Sequence, residues 1–192
     1  MPVAFILDFP GGTLEDYDTV LGEMELGGVA PPGGIYHGSG LGPQGLRVID
    51  VWESDQIFQE FAESKIVPIT QRHGLAQPQI ERVEVDEVRV GPDVDGRATF
   101  AQVVRLDGMD GARFHELDGQ IVGDGLPAGL TYHVNGPTDS GWIVVDYWTS
   151  KDLRDTFMAS KVAPAMQSAG APMPAIEELA LHNTLTAATV TA

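Results

Sequence analysis

The chain has 192 residues, 43% of them apolar, enough for one domain of ordinary size or two small ones sharing a core. With 28 acidic against 11 basic residues its net charge is −17, a surface that repels phosphate backbones and anionic lipid, so nucleic acid and membrane are excluded as expected partners. Cysteine is absent, which removes disulfides, a thiol nucleophile and thiolate metal sites.

Met1 to Phe9 is apolar but lacks a basic leader and a small-residue cleavage site, so it reads as the first strand of a cytoplasmic protein. Pro10-Gly11-Gly12 stops that strand. Thr13 is placed to cap a helix, with Asp16 as its capping-box partner, and Leu14, Tyr17, Leu21 and Met24 follow as one apolar stripe ending at Gly27-Gly28. Ile35 to His37 begins a second strand and Leu46 to Trp52 forms a third, with a glycine-rich loop between them. That loop contains GLGPQG, Gly40 to Gly45, which matches the dinucleotide pattern but opens no helix and is read as a hairpin loop.

Ser54 caps the next helix, whose inward stripe includes Ile57, Phe58 and Phe61. Pro68 would clash in a regular helix interior, so a break near Val67 is expected, with Pro68 opening a last turn that Gly74 stops. A fourth strand carries Ile80, Val83, Val85, Val88 and Val90, and its alternation slips at Asp86-Glu87 as at a bulge.

The stretch from Gly33 to Glu81 is then written a second time. Shifted by 96 positions, eighteen of its forty-nine residues recur without a gap, against about three expected from background frequencies near 6%. Tyr36-His37 becomes Tyr132-His133; Val48, Asp50, Trp52 and Ser54 become Val144, Asp146, Trp148 and Ser150; Lys65 and Pro68 become Lys161 and Pro164. A duplication follows, with residues 1–90 as first repeat, 91–98 as linker, 99–183 as second repeat and 184–192 as a fraying tail. The second copy repeats the order, with strands at Phe100 to Leu106, Thr131 to Val134, Trp142 to Trp148 and Ile176 to His182, and a helix at about Asp110 to Ile121.

Each copy reads strand, helix, strand, strand, helix, strand: an α+β, ferredoxin-like unit with two helices on one face of an antiparallel sheet. The third strand is apolar on both faces apart from its aspartate and so needs cover on both, which two repeats packed sheet to sheet would supply. The element order, with Val48, Asp50, Trp52, Ser54, Phe61, Lys65, Pro68 and Gly74 and their counterparts, resembles the dimeric α+β barrel superfamily in a tandem-fused form, specifically its antibiotic-biosynthesis-monooxygenase-like branch. The resemblance covers nearly the whole chain. It implies a pocket between sheet and helices of each unit and a cofactor-independent oxygenase acting on an apolar, aromatic or polyketide-type molecule. A cyclase or isomerase of the same fold and a non-catalytic binding or stress-related protein are the alternatives. Of the family's pattern only the tryptophan after strand three, Trp52 and Trp148, transfers by position.

On residue chemistry, His37 and His133 are candidate general bases or strand histidines bonded to backbone. Asp50 and Asp146 must be satisfied by something, with Lys65, Lys161 or backbone amides as candidates. A short loop would leave each aspartate about 13 Å along the strands from its histidine, out of contact. Trp52 and Trp148 are core or stacking groups. His73 ends a helix where it could approach a haem or substrate. Asymmetry favours the second copy, which adds Asn135, Tyr147 and His182 to Tyr132 and His133; the catalytic set expected is His133, Tyr132, Asp146 and His37, with Trp148, Asn135, Tyr147, His182, Tyr36, Asp50 and Trp52 around substrate. No haem, flavin or metal is expected. The expected partner is a small-molecule substrate, with a pseudo-dimer inside one chain and a further homodimer left open.

Overall fold

The computed structural model describes residues 1–123 and 125–187. It is a mixed α+β protein of antiparallel strands backed by helices, in two compact units: Met1–Glu84 with the chain from Leu181, and Val85–Ala180.

The first unit contains β1 (Val3–Pro10), α1 (Leu14–Met24), β2 (Gly34–Gly42), β3 (Gly45–Trp52), α2 (Asp55–Phe61), α3 (Val67–Arg72) and β4 (Gln79–Glu84). Its strands lie in the order β4, β1, β3, β2, followed by the C-terminal half of β9 (Ala175–Thr186). The second contains β5 (Glu87–Val90), β6 (Phe100–Asp107), α4 (Gly111–Val122), β7 (Leu130–Thr138), β8 (Gly141–Trp148), α5 (Lys151–Phe157) and α6 (Ala163–Ser168), with strand order β9, β6, β8, β7, β5. The compact units depart from the repeat limits read in the sequence because β5 pairs with β7, and because β9 pairs through Ala175–Ala180 with β6 and through its later residues with β2. Residues 184–186, read as tail, are strand; the expected fraying at 188–192 lies outside the described residues.

The local signals act as their chemistry requires. Thr13 and Asp16 form a reciprocal capping box at α1, and Asp110, Ser54 and Ser150 cap α4, α2 and α5. Pro68 and Pro164 are absorbed by π-helical turns, Ala62–Ile66 and Met158–Val162, with each proline in the first turn of the next helix. The widened turn spares the carbonyl with which the ring would otherwise collide. The fourth strand is interrupted at Val85-Asp86 and resumes at Glu87, a break between two strands in place of the bulge expected at Asp86-Glu87.

The hairpins differ from expectation, and the difference builds the site. The glycine-rich stretch Gly38 to Gly42 continues β2 instead of looping, so the turn is Pro43-Gln44 alone and Gly42 pairs with Gly45. Glycine is needed at the strand start: Gly45 has φ 134° and a Cβ there would stand 2.6 Å from the Phe9 carbonyl oxygen, while Gly141 has φ 159° and would bring one to 2.2 Å from that of Leu106. This register sets His37 opposite Asp50 and His133 opposite Asp146. Leu46, Val48, Asp50 and Trp52 share the face that lines a cavity, while Ile49 and Val51 on the other are fully buried.

Candidate functional site

Each unit encloses a cavity of about 70 Å³ between its sheet and helices. The first is walled by α1 through Tyr17, Val20, Leu21 and Met24, by β3 through Val48, Asp50 and Trp52, by His37 of β2, and by Leu185 of β9. The second is walled by Phe114 and Leu117 of α4, Gln102 of β6, His133, Asp146 and Trp148, and Met158 and Met166. Among the described residues no lysine or arginine lines either one.

In the first unit His37 Nδ1 lies 2.6 Å from Asp50 Oδ1, and His37 Nε2 lies 2.8 Å from the Tyr17 hydroxyl. A carboxylate only accepts, so Nδ1 carries the hydrogen and Nε2 of the neutral ring accepts from Tyr17. Asn183 Nδ2, on β9, donates to the Tyr17 oxygen at 2.9 Å. A continuous chain therefore runs from Asn183 through Tyr17 and His37 to Asp50. Burial pushes the Tyr17 phenol above its ordinary pKa, hydrogen bonding from Ser39 and then Asn183 opposes this, and the Asp50 and Asp18 charges add to the rise.

In the second unit His133 Nδ1 lies 2.7 Å from Asp146 Oδ1, and Gln102 Nε2 donates to Asp146 Oδ2 at 2.8 Å. The rest of the arrangement differs. Trp142 Nε1 donates to Asn135 Oδ1 at 3.2 Å, which turns the Asn135 amide nitrogen toward His133 Nε2, also at 3.2 Å. The lone pair of His133 is thus held by an amide that is itself held by an indole.

Both histidine–aspartate contacts correct the expectation of a 13 Å separation: with Gly42 paired to Gly45 and Thr138 to Gly141, each histidine stands directly opposite its aspartate. Histidine, and not Lys65 or Lys161, satisfies each aspartate. His182 is also corrected. It sits in the first unit, with Nε2 2.7 Å from Asp18 Oδ1 and its ring edge-on to Tyr17 at 5.9 Å, because β9 has reached β2 by that point. It does not stand beside His133. Tyr132 is absent from the cavity lining; it is half-buried, and burial raises its phenol pKa. Tyr147 is fully buried and also off the lining. Tyr36 is buried and lines the first cavity. Trp52 packs on Phe58 and Phe61, and Trp148 on Phe157; each lines its cavity, and each indole Nε1 is buried without a hydrogen-bond partner. His73 Nε2 lies 2.6 Å from Glu23 Oε1 and is not part of the cavity wall.

Sequence reasoning missed Tyr17, Asn183, Gln102 and Trp142 as site residues. Tyr17 reads in the sequence as one of an apolar stripe, although a tyrosine buried on such a stripe needs a partner for its hydroxyl, and that need is the available signal. Among the described residues no group of three or more histidine and acidic side chains is placed to hold a metal ion, and no helix is long and apolar enough to cross a membrane.

No family model and no curated protein matches the chain. Solved structures do. A "putative monooxygenase" of Lactobacillus acidophilus NCFM aligns with TM-score 0.68 and 10% identity over 96% of both chains. Another of that description, from Fusobacterium nucleatum subsp. nucleatum, gives TM-score 0.70 and 11% identity over 96% of this chain and 94% of that one. An anthrone oxidase-like protein gives TM-score 0.50 and 15% identity over 100% and 95%. A chlorite dismutase-type protein gives TM-score 0.61 and 10% identity over 95% of each. At such identities the likeness is one of fold: the chain shares the mixed α+β fold of these structures.

Proposed function

We propose that the protein is a cofactor-independent monooxygenase-like enzyme whose cavity in the first unit takes a neutral, apolar, aromatic or polyketide-type molecule. In this reading the chain is a tandem-fused, ferredoxin-like member of the antibiotic-biosynthesis-monooxygenase-like branch, working in the cytoplasm on a small-molecule substrate. The observation that carries it is the His37–Asp50 pair at the wall of an otherwise apolar cavity. The carboxylate fixes the orientation and tautomer of the ring, so that its other nitrogen is the one placed for proton transfer.

The chemistry follows from that group. His37 is the final acceptor of a proton lost from an acidic C–H or O–H, and the enolate or phenolate left behind is electron-rich enough to reduce dioxygen. At a methylene centre flanked by aromatic rings, one oxygen atom ends as the new carbonyl and the other leaves as water with the two hydrogens. The apolar wall keeps water from reprotonating the anion. The His133–Asp146 pair is a second candidate base of the same kind, and its capture by Asn135 places it behind His37.

The test is oxygen uptake by purified protein given an anthrone-type phenolic ketone with no added cofactor. Turnover is expected, and His37→Gln should lower kcat by about 10²- to 10⁴-fold, the usual contribution of a positioned base. No uptake with any neutral phenol or anthrone would sink the oxygenase reading. A second reading, a non-catalytic protein whose pockets are largely filled by its own side chains, is favoured by size: about 70 Å³ is less than half of the roughly 150 Å³ in an engineered cavity that admits benzene. A ring-sized substrate therefore requires the lining side chains to move.

A further inference from the structure

We infer that Tyr17 is the group that meets the ligand: it accepts the ligand's acidic proton while passing its own to His37, and Asn183 is the positioning residue that holds its oxygen in line. This rests on the cavity of the first unit being the ligand site.

The geometry points to Tyr17 and not to His37 as the contact atom. His37 has two ring nitrogens, and both are engaged, Nδ1 with Asp50 at 2.6 Å and Nε2 with the Tyr17 hydroxyl at 2.8 Å. A ligand reaches the imidazole lone pair directly only by displacing Tyr17, which is buried on α1 and fixed by Asn183. The Tyr17 oxygen gives one hydrogen to His37 and receives one from Asn183, and the buried Ser39 hydroxyl beside it is the neighbour whose place a donor in the cavity lined by the Tyr17 ring would take.

The step balances without any further reagent. The ligand O–H bond breaks and its electron pair stays on the ligand oxygen. The proton forms a new O–H bond on Tyr17 as the old Tyr17 proton moves to His37 Nε2, making an imidazolium that Asp50 stabilises. Tyr17 is neutral before and after, so the raised pKa of its phenol is no obstacle, because free phenolate never forms. The ligand class is a neutral molecule with one acidic hydroxyl, phenolic or enolic, on an apolar body. The second unit lacks the carrier, since Phe114 stands where Tyr17 does, four residues after the helix cap.

4-Nitrophenol reads proton position directly, because its phenolate is yellow and its phenol is not. Titrated at a pH where the free probe is neutral, the wild-type protein should bind it as phenolate. Tyr17→Phe and His37→Gln should bind it uncoloured, with the acid constant of the bound probe lowered about tenfold or more, and Asn183→Ala should fall between. Tyr17→Phe is expected to fold, since phenylalanine occupies the matching place in the second unit, and circular dichroism checks this. Equal colour in wild type and Tyr17→Phe would overturn the carrier role and leave the His37 reading intact. Uncoloured binding to wild type would overturn it too. Absence of binding, by ligand-observed NMR, would remove the cavity reading and this inference with it.

Discussion

Tyr17 and Phe114 stand at the same place on the first helix of their units, each with its backbone nitrogen bonded to the carbonyl of the capping residue, yet only Tyr17 carries a hydroxyl, and His37 Nε2 receives it. The ionised phenol is disfavoured in the folded state, so the folded pKa lies above the unfolded value of about 10. A group raised on folding contributes stability that is complete below its unfolded pKa and is lost as pH rises through the folded one. Tyr17→Phe should therefore flatten the fall in stability above about pH 10, measured by urea midpoints at alkaline pH. Tyr132, raised by burial as well, supplies the residual slope. An unchanged slope would show that the Tyr17 phenol is not held neutral by the fold.

His133 should matter more to stability than to turnover. Its removal leaves Asp146 Oδ1 and the Asn135 amide without their partner in a buried setting, while Gln102 still holds Asp146 Oδ2. Losing a hydrogen bond to a charged group costs about 1.5–3 kcal/mol. His133→Ala should lower the unfolding free energy by about that amount, read as a lower urea midpoint with no change in m-value, and should reduce kcat far less than His37→Gln. A kcat loss as large as that of His37→Gln would restore the second unit as a working site.

How much of this could be seen in the sequence depended on the range of the interaction. Thr13 with Asp16, Ser54, and Pro68 after a helix signal act within one turn of chain, so their types alone placed the elements. The tyrosine-histidine and aspartate-tryptophan pairs were visible because they are repeated at 96 positions. Their contact was not visible, because it depends on whether Gly38 to Gly42 pairs or loops, and glycine alternation carries no apolar face to fix register. The place of His182, and the role of Asn183, were hidden for a different reason. The two residues are 164 and 166 residues from Asp18 and Tyr17, and nothing local marks where β9 stops pairing with β6 and starts with β2.

The hairpin glycines should be irreplaceable in proportion to what a Cβ would strike. At Gly141 the first obstacle is backbone, the Leu106 carbonyl oxygen at 2.2 Å, with the Gly108 nitrogen at 2.9 Å. Neither yields as a flexible side chain would. Gly141→Ala should cost more than the roughly 1 kcal/mol at stake in ordinary glycine exchanges, and Gly119→Ala, exposed in α4 with nothing within 4 Å, should be neutral or stabilising. Thermal unfolding of the two variants side by side decides it; equal midpoints would mean that the hairpin relaxes freely.

The charge of the first cavity should sort ligands. Its lining holds one acidic group, Asp50, hydrogen-bonded to His37, and no lysine or arginine among the described residues. A carboxylate brought to about 5 Å from Asp50 meets a repulsion on the order of 3 kcal/mol at an effective dielectric near 20. That is about a hundredfold in affinity. 4-Nitrobenzoate and 4-nitrophenol have similar rings and nearly equal size, so the first should bind at least about a hundredfold more weakly at neutral pH and recover as pH falls toward its own pKa. Desolvation of the carboxylate in an apolar wall adds to the difference in the same direction. Comparable Kd values for the two, by calorimetry, would place ligand binding away from Asp50.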